Sequence, residues 1–344
     1  MADLPDSAGA GRAPEHDPRI GEVSEGHLLR AILARTPPAA DAILGPGDDA
    51  AIVAAPSGAV VATIDTLVEG PDFRLAWSSA YDLGWKAAAV NLADIAAMGA
   101  RPTGLLVALA IPSRLRVSFV EGLADGLRDA CAALAPGCAV VGGDLTVSDV
   151  LTIAVTALGD TDGRAAVTRS GARIGDVVAI AGETGRAAAG LAVLFRRFHP
   201  GDAAVPVDAA QLDEGEAEAI TAQLRPMPPI GLGPIAAAAG ATAMMDVSDG
   251  LSLDARRLAL ASGVTLDLRR AALGADPEGA LAGGEDHALL ATFPPGVLPP
   301  GFREIGVVVP AVEGAPVTCD GALVEARGWD PYRDGSAHHS AVSP

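Results

Sequence analysis

From Ile43 onward the chain alternates short runs of branched apolar residues with longer stretches whose apolar positions recur at helical spacing. "AAIVAA" and "AVVATIDTLV" read as two strands joined by the turn "PSG", with Asp65 near the end of the second. Ser79, followed three residues later by Asp82, opens a helix through "AYDLGWKAAAVNLADIAAM" that Gly99 stops. Next come a strand ("TGLLVALAIP"), a helix ("VSFVEGLADGLRDACAAL") and two strands, "CAVVGG" and "VLTIAVTAL". After "GDTDGRAAVTRSGARIGD" the alternation restarts with "DVVAIAG", the helix "GRAAAGLAVLFRRF" and an acidic stretch from 200 to 220. "ATAMMDV" then leads into "SLDARRLALASG", and strands follow at "VTLDL", "HALLATF" and "REIGVVV".

Strands and helices that alternate in both halves predict an α/β fold, α+β-like in its layout, in two domains. The expected division is a disordered extension over 1–20, an N-terminal domain over 21–160, a C-terminal domain over 161–333 and a flexible tail over 334–344. No short-period repeat interrupts this order.

Charge narrows the function. Acidic residues outnumber basic ones 43 to 24, a net charge of −19, which argues against a nucleic-acid partner. No apolar run reaches the roughly 18 residues of a membrane span, and the polar start lacks a signal-peptide core, so a cytoplasmic protein without a membrane partner is expected. Cys131, Cys138 and Cys319 show no metal or redox spacing and are expected to be buried, reduced thiols. The only lysine, Lys86, and the only asparagine, Asn91, lie less than two helical turns apart, just before Asp94. Asn91 and Asp94 share a helix face, while Lys86 either contacts phosphate or pairs with a carboxylate.

Acidic residues next to glycine or at strand ends recur in "GPGDDAA" (Asp48, Asp49), "TIDT" (Asp65), "NLAD" (Asp94), "VVGGD" (Asp144) and "DVSDG" (Asp246, Asp249). Singly, each is an ordinary turn aspartate. Together, converging carboxylates would repel one another unless cations intervened, and their hard oxygens suit Mg²⁺, which binds triphosphates through a few carboxylates. No Walker A pattern is present; "VVGGD" and "AGETGR" offer glycines at which backbone N–H groups either meet phosphate or merely connect elements. His287 in "GGEDHALL" is the one histidine beside a suspicious motif and reads as structural, and no covalent nucleophile is evident.

In order, "GPGDDAAIV", "TIDTLVEG", "WKAAAVNLADIAAMGA", "VVGGDLT", "VTRSGARIGD", "MMDVSDGLSLD", "GGEDHALL" and "GWDPY" resemble the thiamine-monophosphate kinases. That family lies in a superfamily with aminoimidazole ribonucleotide synthetase, selenophosphate synthetase and a hydrogenase maturation factor. The resemblance implies ATP-dependent phosphorylation of thiamine monophosphate to thiamine diphosphate, with several Mg²⁺ ions held at Asp49, beside Asp48, and at Asp65, Asp94, Asp144, Asp246 and Asp249. It also implies ATP contacts at Thr63, Gly142, Gly143, Asp144, Arg169 and Ser248, and acceptor contacts at Asp72, Glu285 and Trp329. Its implied fold pairs the first domain across a homodimer into a β-barrel, with ATP where the two domains meet.

Two positions depart from the pattern: Asp72 stands in place of a histidine, and Pro229 in place of an arginine. Selenophosphate synthetase needs an early reactive cysteine and the hydrogenase factor a C-terminal one, and this chain has neither. An enzyme like aminoimidazole ribonucleotide synthetase, or a non-catalytic phosphate-binding homodimer, remain the alternatives.

Overall fold

The computed structural model describes residues 17–46, 50–201 and 203–329. Asp48, Asp49, the "DPY" of the last motif and both expected terminal extensions, save Asp17–Arg19 and Ile20, lie outside the described residues.

The first half opens with α1 (Glu25–Leu33) and a small antiparallel pair, β1 (Ala42–Leu44) with β2 (Ile52–Val53). Then follow β3 (Val61–Val68), α2 (Ala80–Ala97), β4 (Arg101–Ile111), α3 (Val117–Leu134), β5 (Val140–Val147) and β6 (Thr152–Asp160). These four longer strands form one sheet in the order β3-β6-β4-β5, in which only β4 and β5 run parallel. Here the structure departs from the expected pairing around "PSG". The two strands do not pair with each other: β2 is two residues long and pairs with β1, while β3 takes β6 along its whole length. An eight-residue ladder outweighs a two-residue one in both hydrogen bonds and side-chain contact.

The Ser79–Asp82 capping box opens α2 as the sequence predicts, with Asp82 N–H donating to Ser79 Oγ at 3.2 Å and Ser79 N–H donating to Asp82 at 3.0 Å. This helix is apolar nearly all round and buried on all sides, as expected of a helix that packs between layers. Gly84 and Gly126 let α2 and α3 cross closely: a Cβ on either would lie about 2 Å from a main-chain oxygen of the other helix. Apart from its acidic first turn, α2 carries three polar interruptions, Lys86, Asn91 and Asp94, and all three serve the site described below.

The second half contains β7 (Val177–Ala181), α4 (Arg186–Phe198), α5 (Glu214–Leu224), α6 (Leu232–Ala238), β8 (Ala243–Val247), α7 (Leu251–Ser262) and β9 (Thr265–Leu268). It ends with α8 (Pro277–Ala282), β10 (Ala288–Phe293), β11 (Arg303–Val309), β12 (Val317–Cys319) and β13 (Ala322–Leu323). Seven strands form its mostly antiparallel sheet, ordered β13-β12-β9-β11-β7-β10-β8. One face of this sheet, through Met244, Leu289, Ala291 and Phe293, joins the core that surrounds α2. The other face, through Met245, Leu290 and Val308, packs under α7 and α8. The chain is thus a mixed α/β protein of two units with a shared core, and α2 is the element common to both.

Helix α5 was not visible in the acidic stretch, because only Ile220 and Gln223 of its residues are buried and no apolar stripe marks it. Of the cysteines, Cys131 and Cys138 are buried thiols as expected, but Cys319, near the sheet edge, is half-buried. Among the described residues no helix is long and apolar enough to cross a membrane.

Candidate active site

Alternation along β3 turns Thr63, Asp65 and Leu67 toward α2 and leaves Ala62, Ile64 and Thr66 on the outer face. On α2, Asn91 is buried: its Nδ2 donates to Ala87 O at 2.9 Å, and its Oδ1 accepts from Asp65 N–H at 2.9 Å. This asparagine therefore fixes the strand at Asp65 and does not itself face a ligand. One turn later Asp94 accepts from Thr63 Oγ1 at 2.7 Å. The second half brings Asp246 at the end of β8 and Asp249 in the turn before α7.

These carboxylates sense one another. Burial, then the charge of Asp246, pushes the Asp94 carboxyl up to about 6, with Asp65 adding to the effect. Asp65 is likewise raised, first by burial and then by the charges of Asp246 and Asp249, against the opposing pull of His287. Asp246 accepts a hydrogen bond from the Nδ1–H of His287 at 3.1 Å. Burial alone would lower the His287 pKa, but the hydrogen bond and charge of Asp246 raise it. Arg257 donates to both Asp249 (2.5 Å) and Asp254 (2.6 Å), and Asp254 in turn accepts the N–H groups of Asp249 and Gly250. The cluster is thus an oxygen-rich patch with excess negative charge, which fits a hard divalent cation. Among the described residues no three His, Cys, Asp or Glu side chains close into a protein-only metal cage. Mg²⁺ usually keeps waters and takes only one or two carboxylates beside a substrate phosphate.

Other expected residues stand apart. Asp144 pairs in register with Ala108, and Ala108 with Ala154, so it shares the outer face with Ile64 and Leu106, opposite the face that carries Asp65. Gly142 and Gly143 lie beside it on β5; a Cβ at Gly143 would come 2.0 Å from Val107 O, so this glycine is required by strand packing. Together they border an 870 Å³ groove that is otherwise mostly apolar and does not reach the aspartate cluster. Arg169 is anchored through its carbonyl to Ser262 Oγ (2.9 Å) at the C-terminal end of α7, roughly 18 Å along that helix from Asp249. The "AGETGR" loop offers no vacant anion site, because Asp286 accepts the Ala187 N–H at 2.8 Å at the start of α4.

Beside the aspartates opens a second cavity of about 300 Å³. Asp72, Lys86, Ser248, Asp249, Glu285 and Trp329 line its polar side, and Trp77, Leu191 and Phe195 its apolar side. Lys86 is 6% exposed and donates to Glu285, so the sequence alternatives for it resolve toward an ion pair, one that borders the cavity. Burial would raise the Glu285 pKa, but Lys86 holds it below the ordinary value. Asp72 accepts from Val68 N–H at 2.8 Å, which ties it back to the end of β3. Trp329 is seated by its main-chain N–H, which donates to Asp249 O at 3.0 Å. The Arg74 guanidinium lies over Trp77 (4.8 Å) and Phe195 (4.9 Å) and stiffens the apolar wall.

Sequence reasoning missed Asp254, Arg257, Gln223 and the Arg74–Trp77–Phe195 stack, and it read His287 as merely structural. Asp254 and Arg257, three apart on one helix face just after Asp249, were a signal that was present; Gln223 and Phe195 carried none, since only tertiary folding brings α4 and α5 to the cavity.

Residues 47–161 match the model of the family described as AIR synthase related protein, N-terminal domain. Over 334 residues the chain is 43% identical to the thiamine-monophosphate kinase of Mycobacterium tuberculosis, covering 92% of each chain. A solved structure described as AaThiL complexed with AMPPCP and TMP superposes with a TM-score of 0.70 at 35% identity, over 82% of this chain and 90% of that one. The thiamine-monophosphate kinase of Stenotrophomonas maltophilia K279a gives 0.71 at 32% identity, over 90% and 99%.

Proposed function

Because the chain belongs to the thiamine-monophosphate kinase family, we propose that it transfers the γ-phosphoryl group of ATP to thiamine monophosphate, yielding thiamine diphosphate and ADP. The observation that carries this reading is the abutment of the acidic cluster and the 300 Å³ cavity, with Asp249 common to both. One neighbour of similar fold is a kinase complexed with AMPPCP and TMP, a nucleotide analogue together with a monophosphate. In this chain the cavity would take the acceptor: Trp329 and the Trp77–Phe195 wall suit its flat rings, and Asp72 and Glu285 suit a cationic thiazolium.

Asp65, Asp94, Asp246 and Asp249 would hold Mg²⁺, together with Asp48 and Asp49, which lie outside the described residues. When bound, the cations supply the positive charge that lets a triphosphate approach an acidic surface. The residues of the chain do the rest. Asn91 and Thr63 fix the first pair of carboxylates, while His287 and Arg257 orient Asp246 and Asp249. Thr63 would stand on the ATP side, Ser248 lines the acceptor cavity next to Asp249, where the two substrates would meet, and Lys86 positions Glu285 against the acceptor. Transfer is direct: the bond from the γ-phosphorus to the β,γ-bridging oxygen breaks as an oxygen of the acceptor phosphate bonds to that phosphorus in line.

A homodimer accounts for Asp144. The edges of the first sheet are β3 and β5, so closing two such sheets into a barrel about a two-fold axis along the barrel would set β5 of one copy beside β3 of the other. Asp144 would then meet the strand that carries Thr63 and Asp65 in the second copy. Exposed Ile64, at 61%, is the kind of residue such a face would cover. Asp144→Asn and Asp246→Asn are each expected to be nearly inactive alone, whereas an equimolar refolded mixture regains up to about a quarter of wild-type activity, since half of its dimers are mixed and each of those keeps one intact site of two. A mixture as inactive as its parts would place both residues in one subunit's site.

The reading itself is tested by incubation with γ-labelled ATP, Mg²⁺ and thiamine monophosphate. Label should appear in thiamine diphosphate, and none should stay on the denatured chain. A chase-competent phosphoprotein would overturn direct transfer, and the absence of product would overturn the kinase assignment.

A further inference from the structure

Gln223 is a polar residue where the helix pattern calls for none. On α5 only Ile220 and Gln223 turn inward, and Gln223 is 4% exposed. Its place is fixed against the first half of the molecule by two contacts just beyond the helix. Trp85 Nε1 donates to Pro226 O at 2.9 Å, and Arg225 pairs with Asp82 at 3.3 Å.

Its amide is fixed as well. Nε2 donates to Glu285 Oε2 at 2.5 Å, the same oxygen that Lys86 engages. Turning the amide over would set Oε1 against a carboxylate, two acceptors face to face, so the donor end must point at Glu285. That leaves Oε1 as an obligate acceptor. Among the described residues it is buried and meets no hydrogen-bond partner, although Gln223 lines the acceptor cavity. A buried acceptor without a donor costs more than an ordinary hydrogen bond gains, so its retention points to a donor that arrives with the ligand.

We propose that Gln223 is a specificity-determining residue for the acceptor: its Oε1 accepts a hydrogen bond from an N–H group on the acceptor's heterocycle, and Glu285, by locking the amide, makes the cavity reject a carbonyl at that position. This rests on the kinase reading of the cavity. The donor is the exocyclic amine of the aminopyrimidine ring of thiamine monophosphate. Sites that hydrogen-bond a substrate group discriminate strongly against analogues lacking it, because the partner is then left buried and unpaired.

Oxythiamine monophosphate, which carries a carbonyl in place of that amine, is the probe. Wild-type protein is expected to favour thiamine monophosphate over it in kcat/KM by at least roughly ten- to a hundredfold, the cost of one buried unpaired acceptor. In Gln223→Met the preference should collapse to within about threefold, with the KM for ATP unchanged. A purely structural role, exerted by releasing Glu285, would slow both acceptors alike and leave the ratio intact, which overturns the proposal. Gln223→Glu, which keeps an acceptor oxygen but repels Glu285, provides a second variant. If Gln223→Met melts early, the ratio of the two acceptors' Kd values for wild type and Gln223→Glu, by calorimetry, decides the matter, and equal binding of both acceptors to wild type refutes the proposal. If wild type turns over neither acceptor, the kinase reading fails, and the same calorimetric ratio still tests Gln223.

Discussion

Asp246→Asn is expected to lower kcat/KM for thiamine monophosphate by roughly a hundred- to a thousandfold, the scale on which removal of one preorganised electrostatic contact slows an enzyme. Its melting temperature should stay level or rise. Asp246 is buried at the end of β8, and its charge is the one common to the raised pKa values of Asp65, Asp94 and Asp254. Asparagine has nearly the same shape and keeps an oxygen for His287, so packing survives while the repulsion is relieved. Function and stability therefore part company here, as they do where a site holds like charges together for a ligand. Steady-state kinetics and thermal melting on the same preparation check this. Near-normal turnover would remove Asp246 from the site; a melting point many degrees lower would mean that its bond to His287 is the larger effect.

What was legible in the sequence divides along a physical line. Strand and helix positions inside the core were readable, because apolar periodicity is imposed by burial: "VSFVEGLADGLRDACAAL" is α3 residue for residue. The aspartates at strand ends were readable too, since a carboxylate between an apolar run and a glycine has few other reasons to be there. Pairing was not, and the partner of β3 lies about ninety residues downstream, in β6. Nor was the face on which a residue falls. Asp144 looks in sequence like Asp65, yet register across β4 sets it on the opposite side of the sheet. The acceptor wall was least legible of all, since Phe195 and Gln223 come from helices whose sequence shows an ordinary amphipathic segment and an acidic surface helix.

Removing divalent cations is expected to abolish ATP binding, and Mg²⁺ should restore it. One pair of unit charges about 4 Å apart, at an effective dielectric near 20, is worth about 4 kcal/mol. A single uncompensated contact between a phosphate and one of these carboxylates thus weakens binding by about three orders of magnitude. The burial and mutual repulsion that push Asp94 up to about 6 indicate that the protein itself supplies too little positive charge there; among the described residues, His287 and Arg257 are the basic side chains hydrogen-bonded to the cluster. Calorimetric titration of a non-hydrolysable ATP analogue, in EDTA and then in Mg²⁺, measures the effect, and equal affinity in the two would sink the metal-bridged reading. The double variant Asp65→Asn/Asp94→Asn sharpens the test. With two charges removed it should bind the analogue in EDTA better than wild type does, while gaining less from Mg²⁺. Metal-free binding no better than that of wild type would mean that the cations act through shape, by ordering the turn at Asp249, and not by offsetting charge.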